Sequence, residues 1–266
     1  MNDRELIYIL ASSHSGSTVL GSALGAHPGI EMLGEIGSMP RLQAEGFCTC
    51  GERFRECSIW AGTAQLGAWD PRMPFNDCAN HGTIIQDNKS LFRFLWSRFT
   101  PGTTLVDSSK KLKRLKNLVS EGIQPRILHL TRDPIGVIQS LTSTELKRAK
   151  HPGTVAQLAQ QWAKQNLSFR RFLAQYDGPV AEVAIEQLLG QEERTIESME
   201  QLIEQSWTFA KSIDTGVQHQ AGGNRVRFSR ALEPDIKAVI PNEEFDWSEI
   251  KGLRQDVLDT IRSFGY

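Results

Sequence analysis

Ser12-Ser-His-Ser-Gly-Ser-Thr18 packs five hydroxyls, one imidazole and one glycine into seven residues. The apolar run Leu6-Ile-Tyr-Ile-Leu-Ala11 precedes it, and helix-forming residues follow from about Ser17 to Gly25. A strand, a turn of small residues and a helix N-terminus together make an anion cradle. The first N–H groups of the helix have no intrahelical partner, and its positive end faces the turn. Ser15, Ser17 and Thr18 add donors, and Gly16 permits close backbone approach. The plainer alternative is a tight strand-to-helix turn with a serine cap. The segment is not the G-x-x-x-x-G-K-[ST] loop of nucleotide kinases, because no Lys precedes Ser17-Thr18. Magnesium-linked phosphoryl transfer is therefore disfavoured.

Two further segments suit anions. Thr131-Arg132-Asp133-Pro134 ends an apolar run and opens a helix, with Ser140 a short way into it. A guanidinium at a strand end can grip a phosphate through two parallel hydrogen bonds, and Ser140 can share that phosphate. The alternative for Arg132-Asp133 is a local ion pair and helix cap. Later, in His219-Gln-Ala-Gly-Gly-Asn-Arg-Val-Arg-Phe228, Gly222 and Gly223 followed by Asn224, Arg225 and Arg227 suit a loop that folds over a negative ligand. The alternative there is a solvated basic loop.

The elements that must position these segments alternate along the chain. Short apolar strands are expected at Leu6–Ala11, Thr103–Asp107, Arg126–Thr131 and Pro179–Ala184. Helices are expected from about Ser17 to Gly25, where His27-Pro28-Gly29 ends the run, from Pro134, over Val155–Tyr176 and over Ser248–Ser263. Gly216–Phe228 reads as a loop. Strands separated by helices indicate an α/β fold, a parallel sheet flanked by helices on both faces. One domain, 1–266, is expected, with an irregular Cys-containing insertion over about 41–88.

At 266 residues with 23% charged residues and a net charge of −1, the composition is that of a globular protein without a global attraction for nucleic acid or anionic membrane. No apolar run reaches the length of a membrane span. Leu6–Ala11 is too short for a signal-peptide core and has no basic leader, so a cytoplasmic location is expected. The cysteines are Cys48, Cys50, Cys57 and Cys78. A zinc site is open in principle, but C-x-C with one further Cys matches none of the strong zinc patterns and no His is near in sequence. A structural loop with free or loosely paired thiols is expected, with no metal; a metal site and a redox bridge are the alternatives.

In this order and on these elements, the three anion-binding segments resemble those of sulfotransferases that use 3′-phosphoadenosine 5′-phosphosulfate (PAPS). Cys48-Thr-Cys-Gly to Cys57-Ser-Ile-Trp60 is similar to a segment of many bacterial members. The resemblance spans about residues 5 to 230. It implies a P-loop-like fold, PAPS as donor, an acceptor hydroxyl, 3′,5′-ADP as product and no required metal. It implies that Ser13, His14, Ser15, Gly16, Ser17 and Thr18 hold the 5′-phosphosulfate, that Arg132 and Ser140 hold the 3′-phosphate, and that Gly223, Asn224 and Arg225 close over the nucleotide. Many members carry Lys or Arg where this chain has His14, whose unperturbed pKa of ~6.5 leaves it partly neutral near neutral pH.

Lys110, just past the second expected strand, is the substitute cation; tyrosylprotein sulfotransferases carry a lysine in a comparable place. Glu35, after Gly34, is similar to the glutamate that acts as base in those enzymes. His14 is the rival base, and pairing with Arg41 is the structural alternative for Glu35. His27 is expected to be structural, and Lys113, Arg114 and Lys116 to lie on a solvent face. Two other readings stay open: a non-catalytic nucleotide-binding module of the same fold, and a degenerate P-loop kinase.

Overall fold

The computed structural model describes residues 5–42, 46–68, 85–143, 153–207, 213–214, 216–228, 231–232, 246–247 and 250–266. Trp69, Cys78 and Ser248 lie outside the described residues, as do the side chains of Arg41 and Arg225.

Five strands form one parallel sheet: β1 (Leu6–Ala11), β2 (Ile30–Gly34), β3 (Thr104–Lys110), β4 (Arg126–Thr131) and β5 (Val180–Ala184), in the order β2-β3-β1-β4-β5. β1 is buried along its whole length. Its alternate side chains part to opposite faces, as the strand period of two requires. Leu6, Tyr8 and Leu10 join one core, and Ile7, Ile9 and Ala11 join another. The helices are α1 (Ser17–Gly25), α2 (Met39–Leu42), α3 (Asn88–Trp96), α4 (Leu112–Ser120), α5 (Pro134–Thr142), α6 (Val155–Leu173), α7 (Ile185–Leu189), α8 (Glu193–Ile203) and α9 (Gln255–Ser263). α3 and α4 cover the Tyr8 face, with Phe169 of α6, while α1, α7 and α8 cover the Ile9 face. A third core forms between α5, α6 and α9 around Trp162 and Ile261. The expected α/β architecture, helices on both faces of a parallel sheet, is the observed one. No helix among the described residues is long and apolar enough to cross a membrane.

The structure corrects several boundaries. The sheet has a strand that the sequence pattern does not reveal, β2, at Ile30–Gly34. β3 runs on to Lys110, so Ser108, Ser109 and Lys110 are strand residues. α6 ends at Leu173 and α9 begins at Gln255. The segment 216–228 is more than a loop. Ala221 forms a parallel bridge with Gly34, the last residue of β2, and Arg225–Phe228 is one 3₁₀ turn. A Cβ on Gly34 would lie 2.3 Å from the Ala221 carbonyl oxygen, so this backbone approach requires glycine. A two-residue antiparallel pair, β6 (Ile213–Asp214) with β7 (Ala231–Leu232), stands apart from the main sheet.

Arg114 also departs from expectation. It is fully buried rather than on a solvent face. The cause is Asp107, a buried carboxylate on β3 that needs a counter-charge: Arg114 Nη2 stands 3.5 Å from its Oδ2. Lys113 and Lys116, on the same helix, are exposed as expected.

Candidate active site

All the candidate anion-binding segments lie at the carboxyl ends of the strands, where ligands of open parallel sheets gather. The first loop leaves β1 at Ser12, whose hydroxyl accepts from Asn166 Nδ2 at 3.2 Å. Asn166 Oδ1 in turn accepts from His129 Nε2 at 3.2 Å, and His129 Nδ1 meets Glu182 Oε2 at 2.9 Å. Burial pushes the Glu182 carboxyl up, but hydrogen bonds from Arg170 and His129 outweigh it and hold the group at about 2. This polar seam ties α6, β4 and β5 to the root of the loop.

Ser13, His14, Ser15 and Gly16 make the turn, and Ser17 and Thr18 open α1. Gly16 caps α1 in the left-handed region (φ +85°), with no side-chain hydrogen bond to the first turn. A Cβ there would also press to 3.0 Å from Ile185. Two other helices near the site are closed differently. Asp133 accepts from the Ile135 N–H at α5, and Thr154 and Gln157 form a reciprocal capping box at α6. The amides opening α1 are thus left without a side-chain cap. Beside them the Ser15 hydroxyl is completely buried and has no hydrogen-bond partner among the described residues. A buried donor in that state costs about 1–3 kcal/mol unless a ligand or water satisfies it.

Arg132 leaves the end of β4 and crosses to the same loop, where Nη1 donates to the His14 carbonyl at 3.0 Å. Ser140 Oγ lies 2.8 Å from His14 Nδ1. Arg132, Ser140 and His14 are therefore brought together. Burial lowers the pKa of the Arg132 guanidinium, against the opposing influence of Glu186 and Asp133. A cation stripped of water in this way is favoured by an anionic ligand. Gly136 makes room for it: a Cβ there would stand 3.0 Å from Arg132 Nε. The Asp133 side chain caps α5, as one alternative reading of Arg132-Asp133 proposed.

A second group forms on the β2–β3 side. Lys110, at the end of β3 with φ +66°, places Nζ 2.5 Å from Glu35 Oε1. Glu35 follows β2 directly, and its N–H donates to the Ala221 carbonyl. The turn after it is braced from β3: the Gly37 N–H donates to Ser109 Oγ at 2.8 Å, and Ser109 Oγ donates to Asp107. Gly223 reaches across the gap between the groups. A Cβ at Gly223 would sit 3.6 Å from Thr18 Oγ1 and 3.9 Å from Glu35 Oε1. The Asn224 N–H points to Thr18 Oγ1 at 3.4 Å. Arg225 contributes backbone to the following 3₁₀ turn.

Arg227, the second arginine of the late segment, is half-buried, donates to the Gly223 carbonyl and lies within electrostatic reach of Glu35. His27 stays away from the site, with its ring against the carbonyls of Pro28 and Ser206. The absence of a histidine near the cysteines in sequence does not hold in space. His219, 162 residues beyond Cys57, places Nδ1 3.2 Å from Cys57 Sγ.

The arrangement offers an uncapped helix start and a buried donor for one anionic group. It adds a guanidinium and a hydroxyl for a second, and a carboxylate beside an ammonium between them and the late loop. Among solved structures, the sulfotransferase domain from the curacin biosynthetic pathway superposes with a TM-score of 0.62 at 17% identity, covering 99% of this chain and 98% of that one. The sulfotransferase domain from the Synechococcus PCC 7002 olefin synthase gives 0.56 at 19%, covering 99% and 94%. At these identities the likeness is one of fold. No protein with a curated description matches the sequence. The sequence profile described as the sulfotransferase family matches residues 7–208, a span that takes in β1 to β5 with the first loop, Glu35, Lys110, Arg132 and Ser140, and the chain belongs to that family.

Proposed function

We propose that the protein transfers a sulfuryl group from PAPS to an acceptor hydroxyl by in-line displacement. The observation that carries this reading is the buried, unpartnered Ser15 hydroxyl beside the uncapped start of α1, with Arg132 and Ser140 adjacent through His14. Two anion sites joined by one loop suit a donor with a 5′-phosphosulfate and a separate 3′-phosphate.

In this reading the α1 amides, Ser15, Ser17 and Thr18 hold the phosphosulfate, and Arg132 with Ser140 holds the 3′-phosphate. The acceptor oxygen forms a bond to sulfur as the bond from sulfur to the phosphate oxygen breaks. The acceptor proton passes to the Glu35 carboxylate, and the electron pair leaves on the phosphate of 3′,5′-ADP. Lys110 stabilises charge on the transferring group and the leaving oxygen, as positioned cations do in the related phosphoryl transfer. His14, whose Nδ1 meets Ser140, links the two phosphate sites and assists the leaving phosphate when protonated. Gly223 and Asn224 cover the donor from the β2 edge. None of these steps draws on a metal ion.

The test is a comparison of 3′,5′-ADP with 5′-AMP. A hydrogen bond to a charged group contributes about 1.5–3 kcal/mol, so the 3′-phosphate is expected to add roughly 10- to 150-fold in affinity. 3′,5′-ADP should therefore raise the melting temperature clearly more than 5′-AMP does. Arg132→Ala should remove most of that difference while leaving the 5′-AMP shift in place. Equal shifts for the two nucleotides in the native protein would defeat the assignment. Transfer of labelled sulfur from PAPS to a hydroxyl compound separates an enzyme from a module that only binds the nucleotide.

A further inference from the structure

Cys48, Cys50 and Cys57 belong to one irregular segment, and His219 comes from the strand-like segment that borders β2. Their donor atoms all lie within 4.8 Å of one another. Cys50 Sγ is 3.8 Å from Cys57 Sγ, and His219 Nδ1 is 3.7 Å from Cys48 Sγ and 3.2 Å from Cys57 Sγ. A tetrahedral zinc ion with Zn–S near 2.3 Å and Zn–N of about 2.0–2.1 Å needs S···S edges of about 3.8 Å and S···N edges of about 3.6 Å. The Cys50–Cys57 and Cys48–His219 spacings match those edges, the Cys57–His219 spacing of 3.2 Å is shorter, and all the others fall within 4.8 Å.

We propose that Cys48, Cys50, Cys57 and His219 bind one zinc ion in a closed structural site that clamps the cysteine segment to the loop carrying Gly222 and Gly223. Three soft sulfur ligands and one imidazole select zinc over magnesium or calcium. Four protein ligands leave no open position, so the ion supports the fold and takes no part in chemistry.

The surroundings hold the ligands in place. Cys48 and Cys57 are fully buried, and Phe54 and Trp60 pack edge to face beside them. The backbone turns back at Cys48-Thr-Cys-Gly51, where the Gly51 N–H donates to the Cys48 carbonyl at 3.0 Å and the Cys48 N–H to the Glu52 carbonyl at 2.9 Å. Both neighbours of His219 are fixed to this turn, since the Thr49 hydroxyl donates to the Gln218 carbonyl and accepts from the Gln220 N–H at 2.9 Å. Trp60 Nε1 donates to the carbonyl of His219 itself at 3.0 Å. Three thiolates and a divalent ion leave one negative charge, and the Arg227 guanidinium lies within electrostatic reach of Cys48.

Two residues beyond His219, Ala221 makes the bridge to Gly34 that fixes the backbone of Glu35. The clamp therefore sets the position of the late loop against the site. Metal binding of this kind contributes directly to folding, and here it would join segments 162 residues apart.

The test uses the untagged full chain, purified without chelator and analysed for metals. One zinc per chain is expected. Exchange with cobalt should give the visible ligand-field bands of a tetrahedral thiolate site. Cys57→Ser and His219→Ala should each lose the metal. Should either variant fail to fold, the native chain still decides the matter. Thiol modification should release zinc, measured with a chromogenic chelator, in step with the loss of three protected cysteines. Substoichiometric zinc, iron in its place, more than one freely reactive thiol in the native chain, or a Cys50–Cys57 disulfide would each overturn the proposal. Metal content is read without nucleotide, so it stands or falls separately from the donor assignment.

Discussion

Glu35→Gln is expected to lower turnover by ~10²–10⁴-fold, the usual cost of losing a general base, while nucleotide affinity stays near that of the native protein. Gln keeps the shape of the side chain and an oxygen that can accept from Lys110 Nζ, the partner of Glu35 Oε1. It cannot take a proton from an acceptor hydroxyl. Lys110→Ala should behave differently. It removes a cation from the neighbouring strand end, so turnover should fall and binding of PAPS should weaken together. His14→Ala should do most harm at low pH, where the imidazolium is populated. The measurements are turnover with saturating acceptor across pH and calorimetric nucleotide affinity for each variant. One pattern would reverse the roles: near-full turnover for Glu35→Gln, with His14→Ala abolishing turnover and leaving nucleotide binding intact. His14 would then be the base.

Lys110 was legible because it follows an apolar strand, and ligands gather at the carboxyl ends of parallel strands, whereas Glu35 rested on the resemblance to tyrosylprotein sulfotransferases and its ion pair with Lys110 was not foreseen. β1, α1 and β4 were legible for a related reason. Each is a local pattern: an unbroken apolar strand, or small residues opening a helix. β2 was not, because Ile30-Glu31-Met32-Leu33-Gly34 is short and lies directly after His27-Pro28-Gly29, whose turn signal dominates the window. Its identity as a strand comes from pairing with β3 and from the bridge to Ala221, and both partners are distant in sequence. His219 was hidden by the same kind of distance. The cysteines gave an incomplete ligand set, and the missing donor is supplied only when the late segment crosses the β2 edge. Arg114 was misread because helical spacing alone does not show that Asp107, one strand away, has to be buried with a counter-charge.

Arg114 is where the largest loss of stability is expected. Asp107 is fully buried, accepts from the Ser109 N–H at 2.9 Å and from the Ser109 hydroxyl, and turns its other oxygen to Arg114. Arg114 is held by Asn88, which Asn117 and Glu121 hold in turn. Arg114→Ala would leave a buried carboxylate without its cation, a change that costs about 3–5 kcal/mol, or roughly two to four powers of ten in the folding equilibrium. It should also loosen the Ser109 brace on the turn after Glu35, so the folded fraction should turn over poorly. Burial already raises the Asp107 pKa, with Arg114 and Ser109 opposing it, and loss of Arg114 removes the larger of those oppositions. The folded variant then binds a proton more tightly than its unfolded chain does. Its stability must fall as pH rises from the unfolded carboxylate value of ~3.9 through the raised folded value. The deficit relative to the native protein should therefore shrink toward acid and be greatest near neutral pH. Asp107→Asn combined with Arg114→Ala should recover part of the loss, because a neutral amide is left in place of an unpaired charge. Urea midpoints at acid and neutral pH for the two variants and the native chain measure this. If Arg114→Ala matches the native protein, or its deficit is the same at both pH values and Asp107→Asn does not relieve it, the buried pair does not carry the stability assigned to it.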